Sequence, residues 1–145
     1  MRFTINQDLN FTETEIIMNC AYLDERLNRL ANYIRQYTFS IEGFIEERVY
    51  QVPIDNIFYM ESVDGKTFFY DKENAYSSRQ TITALEENLK TTSFARISKS
   101  CLINTALIKC FSPYVNHRLK VEMKNGECLI VSRNYIESLK EKLRK

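Results

Sequence analysis

The sequence predicts a mainly β (α+β) fold with antiparallel strands and short helices, and three observations support this. Residues 39–79 are rich in Ile, Val, Phe and Tyr and are interrupted at Gly43, Pro53, Asp64-Gly65 and "KEN", as in a series of short strands. Asp64-Gly65 and the later "KNG" are strong signals for hairpin turns. Strands do not alternate repeatedly with long helices, so a parallel α/β sheet is not expected.

The N-terminal part is expected to form a strand and then an amphipathic helix. The strand is predicted over residues 12–21, "TETEIIMNCA". The helix is predicted over residues 22–37, where four apolar residues recur at the spacing of one helical face: Leu23, Leu27, Leu30 and Ile34.

A second, short helix is predicted over residues 81–90. Thr83 and Glu86 have the spacing of a capping box, in which each side chain bonds a backbone N–H at the start of the helix. Three apolar residues should face the core: Ile82, Leu85 and Leu89.

The last third of the chain is expected to hold three strands and a helix. The first strand covers residues 96–104, and Asn104 should end it and cap a short turn, "TALI". Two more strands, residues 117–123 and 127–132, flank the "KNG" turn. An amphipathic helix should end the chain, with an apolar face made of Ile136, Leu139 and Leu143.

The stretch "RISKSCLIN", residues 96–104, combines two kinds of residue. Ile97, Cys101, Leu102 and Ile103 suit a buried strand, whereas the residues between them are cations, hydroxyls and an amide. Two interpretations remain open at this point. The polar side is either an ordinary exposed edge or a surface that faces something anionic.

Length and composition are those of one globular domain with a core. The chain has 145 residues, of which 44% are hydrophobic and 27% charged. No apolar run approaches the roughly 18 residues of a membrane span, and the start, "MRFTINQDLN", lacks the apolar core of a signal peptide. A cytoplasmic protein is therefore expected.

The net charge of +1 conceals an uneven distribution. Residues 1–64 hold 5 Lys/Arg and 11 Asp/Glu, a net charge of −6, whereas residues 65–145 hold 15 and 8, a net charge of +7. Such a division suggests an anionic partner for the C-terminal part, although an interspersed solvated face can give the same count.

Neither catalysis nor a metal or cofactor site is predicted. His117 is the single histidine, it has no acidic or nucleophilic neighbour in the sequence, and no catalytic or phosphate-binding motif occurs. The four cysteines, Cys20, Cys101, Cys110 and Cys128, contain no C-x-x-C pair and are expected to be buried thiols in a reducing compartment.

Arg133 occupies an unusual position. Ser132 is predicted to be the N-cap of the last helix, which places Arg133 in the first turn, where the helix dipole favours a carboxylate. An approaching anion would explain the arginine. The alternative is a chance ion pair with Glu137, one turn along the helix.

Three stretches together resemble the LytTR family of bacterial DNA-binding domains. They are "DNIFYMESVDGKTFFY", "FARISKSCLIN" and "KNGECLIVSRNYIESLKEKL", and the similarity runs from about residue 52 to residue 143. The patterns R-I-x-[KR]-S-x-x-[IV]-N and N-G-x-x-[IVL]-x-[IV]-S-R-x-[YF] are specific in combination. The resemblance implies a compact antiparallel β fold that presents loops, rather than a recognition helix, to two successive major grooves and the minor groove between them.

The resemblance also implies which residues contact double-stranded DNA. They lie in the first hairpin turn, in "ISKS" and at the "SR" junction, and on this chain they are Lys66, Thr67, Ser98, Lys99, Ser100, Ser132, Arg133 and Asn134. Arg133 suits the edge of a guanine, and Lys66 and Lys99 suit phosphates. Thr67 is shorter than the residue that many relatives carry in the first turn.

The implied protein is a stand-alone transcriptional regulator without a receiver domain. Residues 1–45 are expected to be an extension for packing or self-association, and residues 46–145 the LytTR-type domain, bound to paired sites as a homodimer. Stand-alone relatives of this size are often encoded beside a small membrane protein that restrains them, which suggests such a partner. The alternative is a regulatory interaction module that titrates a partner protein instead of binding DNA.

Overall fold

The computed structural model describes residues 1–12 and 14–144, which form three α-helices and ten strands. No helix within these residues is long and apolar enough to cross a membrane. The elements in chain order are α1 (Glu25–Thr38), β1 (Ser40–Ile45), β2 (Arg48–Pro53), β3 (Tyr59–Val63), β4 (Lys66–Tyr70), β5 (Ala75–Ser78), α2 (Ile82–Asn88), β6 (Phe94–Ser98), β7 (Cys101–Asn104), β8 (Ile108–Tyr114), β9 (Arg118–Met123), β10 (Cys128–Val131) and α3 (Arg133–Arg144).

The predicted N-terminal strand is wrong. Residues 14–20 form no helix or strand, and Glu13, which belongs to the same prediction, lies outside the described residues. A β-strand needs a partner edge to satisfy its backbone groups, and none lies beside this segment. Ile16 and Ile17 consequently remain about two-thirds exposed, at 65% and 66%.

The first helix is confirmed, although it begins at Glu25 because Asp24 caps it. The Asp24 carboxylate accepts a hydrogen bond of 2.8 Å from the backbone N–H of Leu27. The helix packs against β2 and a short 3-10 helix, Ile54–Asn56. The apolar stripe is only partly covered, since Leu23 and Leu30 keep 47% and 41% of their surface exposed.

Seven strands form one antiparallel sheet in the order β2-β1-β5-β4-β3-β7-β6. β1 lies between β2 and β5, so residues 40–45 belong to this sheet. Gly43 stands in the middle of β1, where a Cβ would collide with the ring of Phe69. Its role is thus to admit an aromatic ring rather than to end a strand.

The other three strands form a smaller antiparallel sheet in the order β10-β9-β8. The "KNG" hairpin joins β9 to β10 as predicted, with Gly126 at φ 90°. Strand β8 was not predicted, because it is an edge strand that is exposed along most of its length. Pro113 is tolerated there, since an edge strand does not need every N–H.

The large sheet carries a hydrophobic core on each face. One core joins it to α2, and the predicted inward residues of that helix are buried. The other joins its β6–β7–β3 end to the small sheet and α3. Buried residues of the first core are Val52, Ile54, Ile57, Met60, Phe69, Tyr76, Ile82, Leu85, Leu89, Phe94 and Leu102. Those of the second are Phe58, Ala95, Ile97, Cys101, Ile103, Leu119, Val121, Met123, Val131 and Leu139.

Two further predictions are corrected. The cap of α2 is Thr81, whose Oγ1 accepts a 3.1 Å hydrogen bond from Ala84, so Thr83 and Glu86 form no capping box. Of the four cysteines only Cys101 is buried. Cys110 and Cys128 both lie opposite Glu122, on the solvent face of the small sheet, while Cys20 lies in the exposed segment before α1.

Candidate nucleic-acid interface

Two of the predicted contact loops lie at the same end of the strands of the large sheet because β3 and β7 are antiparallel neighbours. This end of the strands, where the turns lie, is called the edge of the sheet below. Glu61 pairs with Cys101, so the end of β3 and the start of β7 meet. The β3–β4 turn and the β6–β7 turn are therefore side by side. The strand predicted over residues 96–104 is in fact the β6–β7 hairpin, with its turn at Lys99-Ser100.

Backbone hydrogen bonds connect all three loops. The N–H of Ser62 in β3 donates to the carbonyl of Ser100 over 2.8 Å, which joins the first turn to the second. The N–H of Ser132 donates to the carbonyl of Ile97 over 2.9 Å, which joins the β10–α3 junction to β6. Strand β6 has a bulge between Arg96 and Ser98, where one residue is left out of the ladder. Because Ile97 is not paired within the ladder, its carbonyl can accept the hydrogen bond from Ser132 at the β10–α3 junction.

The β3–β4 turn has the predicted two-residue geometry. Asp64 and Gly65 have φ values of 52° and 78°, as a type I′ hairpin requires. Lys66 is exposed, but Thr67 is only 6% exposed and faces the core side of the sheet. Thr67 is therefore placed to support the turn and not to contact a partner. The Asp64 carboxylate is the acidic group of this turn.

In the β6–β7 turn, Lys99 and Ser100 are exposed and Ser98 is half-buried. The Ser98 Oγ accepts a 3.3 Å hydrogen bond from the N–H of Ser100. Arg96 behaves differently from its neighbours. Its guanidinium bonds the Ser98 and Lys99 carbonyls and forms an ion pair with Glu86, so Arg96 is directed toward the protein and not toward a partner.

At the third loop, Ser132 immediately precedes α3, as predicted. Its carbonyl accepts a 2.9 Å hydrogen bond from the N–H of Tyr135. Arg133 and Asn134 are exposed in the first turn of the helix. Within residues 1–12 and 14–144, Arg133 forms no ion pair with Glu137, and so the alternative explanation of this arginine loses its support.

Sequence reasoning missed Arg79. It lies with Gly65 and Lys66 along an open groove of about 530 Å³ between the β3–β4 turn and the start of α2. Its guanidinium carbon lies 4.5 Å from the centroid of the Phe44 ring, a cation–π contact that directs the side chain. No local pattern could have indicated this cation, because only the pairing of β4 with β5 brings it beside the turn.

The charges at this edge are predominantly positive. Lys66, Lys99 and Arg133 are all exposed, one on each loop, and none of them has an ion-pair partner among the residues that the structure describes. Unpaired, hydrated cations on adjacent loops suit a polyanion, because binding does not first require an internal salt bridge to be broken.

Among the described residues, no group of three or more His, Cys, Asp or Glu side chains could hold a metal ion. Three titratable side chains near this edge have raised pKa values. Burial, together with the nearby Glu127 and Glu61 carboxylates, raises the pKa of Tyr59 to about 12. Burial raises the pKa of Tyr70 as well, and its hydroxyl donates a 2.5 Å hydrogen bond to Glu61. Burial likewise raises the pKa of the Cys101 thiol to about 12, which keeps it protonated.

Comparison with known families agrees with this architecture. Residues 47–144 match the family model described as the LytTr DNA-binding domain. The chain belongs to the LytTR family. A LytTr DNA-binding domain from Bacillus cereus has the same fold, with a TM-score of 0.69 at 24% sequence identity over 73% of this chain and 97% of that one.

Two relatives that this chain resembles are longer proteins. The sensory transduction protein LytT of Bacillus cereus is 35% identical over 100 residues, which are 69% of this chain and 41% of the relative. The transcriptional regulatory protein LytR of Staphylococcus aureus is 25% identical over 118 residues, 81% of this chain and 48% of the relative. The chain thus spans less than half the length of these two relatives.

Proposed function

We propose that this LytTR chain is a transcriptional regulator that binds double-stranded DNA sequence-specifically through the edge formed by its three loops. The observation that carries the proposal is the pair of backbone hydrogen bonds, Ser62 to Ser100 and Ser132 to Ile97, that join the loops. Because each loop also carries an exposed cation, the edge is a continuous and preorganised surface for a phosphate backbone.

The proposed contacts divide into base reading and phosphate binding. Arg133 reads a guanine edge, since its planar guanidinium can donate two parallel hydrogen bonds in a major groove. Lys66 and Lys99 bind phosphates as flexible point charges, and Arg79 extends this contact along the groove. Short hydrogen bonds to the DNA backbone come from Ser98, Ser100, Ser132 and Asn134. Thr67, being buried, is no longer included.

We also propose that two copies occupy paired sites, with residues 1–45 contributing to self-association and residues 46–145 to DNA binding. The incompletely covered apolar stripe supports this, because Leu30 on α1 and Leu23 just before it remain 41% and 47% exposed although the helix packs against β2 and the 3-10 helix. In Leu30→Glu we expect a folded monomer that binds a half-site but loses cooperative binding to paired sites. Wild type that sediments as a monomer both on and off DNA would contradict this.

A cytoplasmic location remains a prediction of the sequence pattern, and a restraining membrane protein remains a prediction of the family resemblance. The second candidate function, a module that titrates a partner protein, is compatible with the net charge of −6 over residues 1–64. Unpaired Lys66, Lys99 and Arg133 argue against it, because a protein partner would not require three exposed cations at one edge.

The proposal is tested by selecting bound fragments from the source genome with the purified protein, followed by titration at several salt concentrations. Neutralising about six phosphates gives a slope of log affinity on log salt near −5. A double variant, Lys66→Gln with Lys99→Gln, should flatten this slope by about two units.

A matched control removes two exposed lysines, Lys120 on β9 and Lys124 in the β9–β10 turn, as Lys120→Gln with Lys124→Gln, and changes the net charge equally. It should leave most of the slope intact. Equal effects of the two double variants would place the contact elsewhere, and no binding to any duplex would overturn the proposed function.

A further inference from the structure

We propose that Arg96 and Glu86 are positioning residues for the DNA interface: they set the direction of the Lys99 side chain without touching DNA. This inference rests on the proposed function. Arg96 lies in the same short stretch of sequence as Ser98, Lys99 and Ser100, but its side chain is directed toward the protein.

The guanidinium of Arg96 is occupied within the protein on three sides. Its Nε donates to the Ser98 carbonyl over 2.8 Å, its Nη2 to the Lys99 carbonyl, and its Nη1 to Oε1 of Glu86 over 3.1 Å. The side chain keeps only 14% of its surface exposed. An arginine in this state has neither the free edge nor the accessible surface for a bidentate contact with a base or phosphate.

The two carbonyls that Arg96 binds belong to the peptide units on either side of the Lys99 Cα. A peptide unit is planar, so fixing both planes fixes φ and ψ of Lys99 and hence the direction of its Cα–Cβ bond. The turn has no Gly, Pro or Asn to favour its shape locally, and none of its residues has a positive φ. One local hydrogen bond, from the Ser100 N–H to the Ser98 Oγ, holds the peptide unit after Lys99. Arg96 adds contacts to the carbonyls of both peptide units and so fixes the direction of the Lys99 side chain.

Glu86 provides the third point of attachment. It projects from α2, which is packed into the core through Ile82 and Leu85, and its own side chain is 43% exposed. An ion pair this exposed contributes little stability. Its effect is geometric, because it anchors the far side of the guanidinium to a rigid helix. Lysine could not replace Arg96, since an ammonium group cannot reach acceptors on three sides in one plane.

Glu86 allows a test in which electrostatics and positioning predict opposite signs. Removing a carboxylate near a DNA interface should strengthen binding if only the net charge matters. In Glu86→Ala we instead expect affinity for a selected site to fall by about threefold, since the turn loses one of its supports.

The matched control is Glu87→Ala, on the same helix and with the same change of charge. Glu87 pairs only with the exposed Lys90 over 2.7 Å, within the described residues. It should leave affinity unchanged or slightly raised. Stronger binding by both alanine variants would overturn the inference.

A double-mutant cycle then separates positioning from contact. Arg96→Lys keeps the positive charge and should weaken DNA binding by about fivefold, but by less than about twofold when Lys99→Ala is already present, because Arg96 acts through Lys99. Losses that simply multiply would show that Arg96 contacts DNA itself.

A measurement on the free protein keeps this test independent of the proposed function. In Arg96→Lys, amide hydrogen exchange at Ser100, whose N–H donates to the Ser98 Oγ, should accelerate while the core strands keep their protection. Unchanged exchange at the turn would overturn the positioning role even if DNA binding is intact. Conversely, faster exchange in a protein that binds no duplex would refute the proposed function alone.

Discussion

The β3–β4 turn and the β6–β7 turn lie side by side at one sheet edge, yet they are stabilised in different ways. The first contains Asp64 and Gly65, both with positive φ, so two residues specify its shape. The second has no such residue and depends on Arg96, which reaches Glu86 on another element. The same sheet edge thus contains a turn encoded by its own residues and a turn whose shape depends on contacts with another element.

The dependence of the β6–β7 hairpin on distant contacts extends to its opposite end. Asn104, the last residue of β7, is fully buried. Its Nδ2 donates to the carbonyls of Ile57 over 2.9 Å and Ile54 over 3.4 Å. Its Oδ1 accepts from the Ser93 hydroxyl over 2.6 Å and from the N–H of Ala106 over 3.1 Å. The β6–β7 hairpin is therefore held at both ends by single side chains, Arg96 at the turn and Asn104 at the end of β7.

The largest expected effect comes from replacing the buried Asn104. Asn104→Ala removes the hydrogen bonds to the Ile54 and Ile57 carbonyls, the Ser93 hydroxyl and the Ala106 N–H, so the free energy of unfolding should fall by about 3 kcal/mol in urea denaturation. Asn125→Ala, in the exposed β9–β10 turn, is the control and should cost less than about 1 kcal/mol. Similar losses in both variants would mean that the hairpin does not depend on its distant contacts.

The next largest effect distinguishes the proposed base contact of Arg133 from the proposed phosphate contact of Lys99. Arg133→Ala should weaken binding to the selected site by about tenfold or more and to random DNA much less, because a bidentate arginine–guanine pair is worth roughly 1–3 kcal/mol. Lys99→Ala should weaken both DNAs alike and flatten the salt slope by about one unit. Fluorescence anisotropy measures both. If Arg133→Ala weakens both DNAs equally, the residue is a phosphate contact and bases are read elsewhere.

The smallest effect tests the locally encoded turn. Gly65 and Gly126 both have positive φ, and a Cβ added at either would have no neighbour within 4 Å. An alanine at either position should therefore cost about 1 kcal/mol of stability through backbone strain alone. Only Gly65→Ala should also weaken DNA binding, since Gly126 lies at the far end of the β9–β10 hairpin. Equal DNA affinities of the two variants would remove the first turn from the interface.

Much of this architecture could be predicted because the relevant signals are local. The hairpins at Asp64-Gly65 and "KNG", the inward faces of α2 and α3, and the cap made by Asn104 all follow from neighbouring residues. Predictions failed where the sequence holds no local signal, or where a strand-like segment has no neighbouring strand with which to pair. Strand β8 is an exposed edge, residues 14–20 have no neighbouring strand, and the turn at Lys99-Ser100 lacks the Gly, Pro or Asn that signals a hairpin most strongly.

The sequence by itself determined that the chain is β-rich, where its strongest turns and helix faces lie, and that its cations concentrate in the C-terminal part. Only the tertiary structure decided which of those cations are available. It placed Lys66, Lys99 and Arg133 on three loops at one edge and brought Arg79 beside them, while it buried Thr67 and turned Arg96 toward Glu86. The physical reason is that exposure and pairing depend on strands and helices distant in sequence, whereas turn and helix signals depend on residues only a few positions apart.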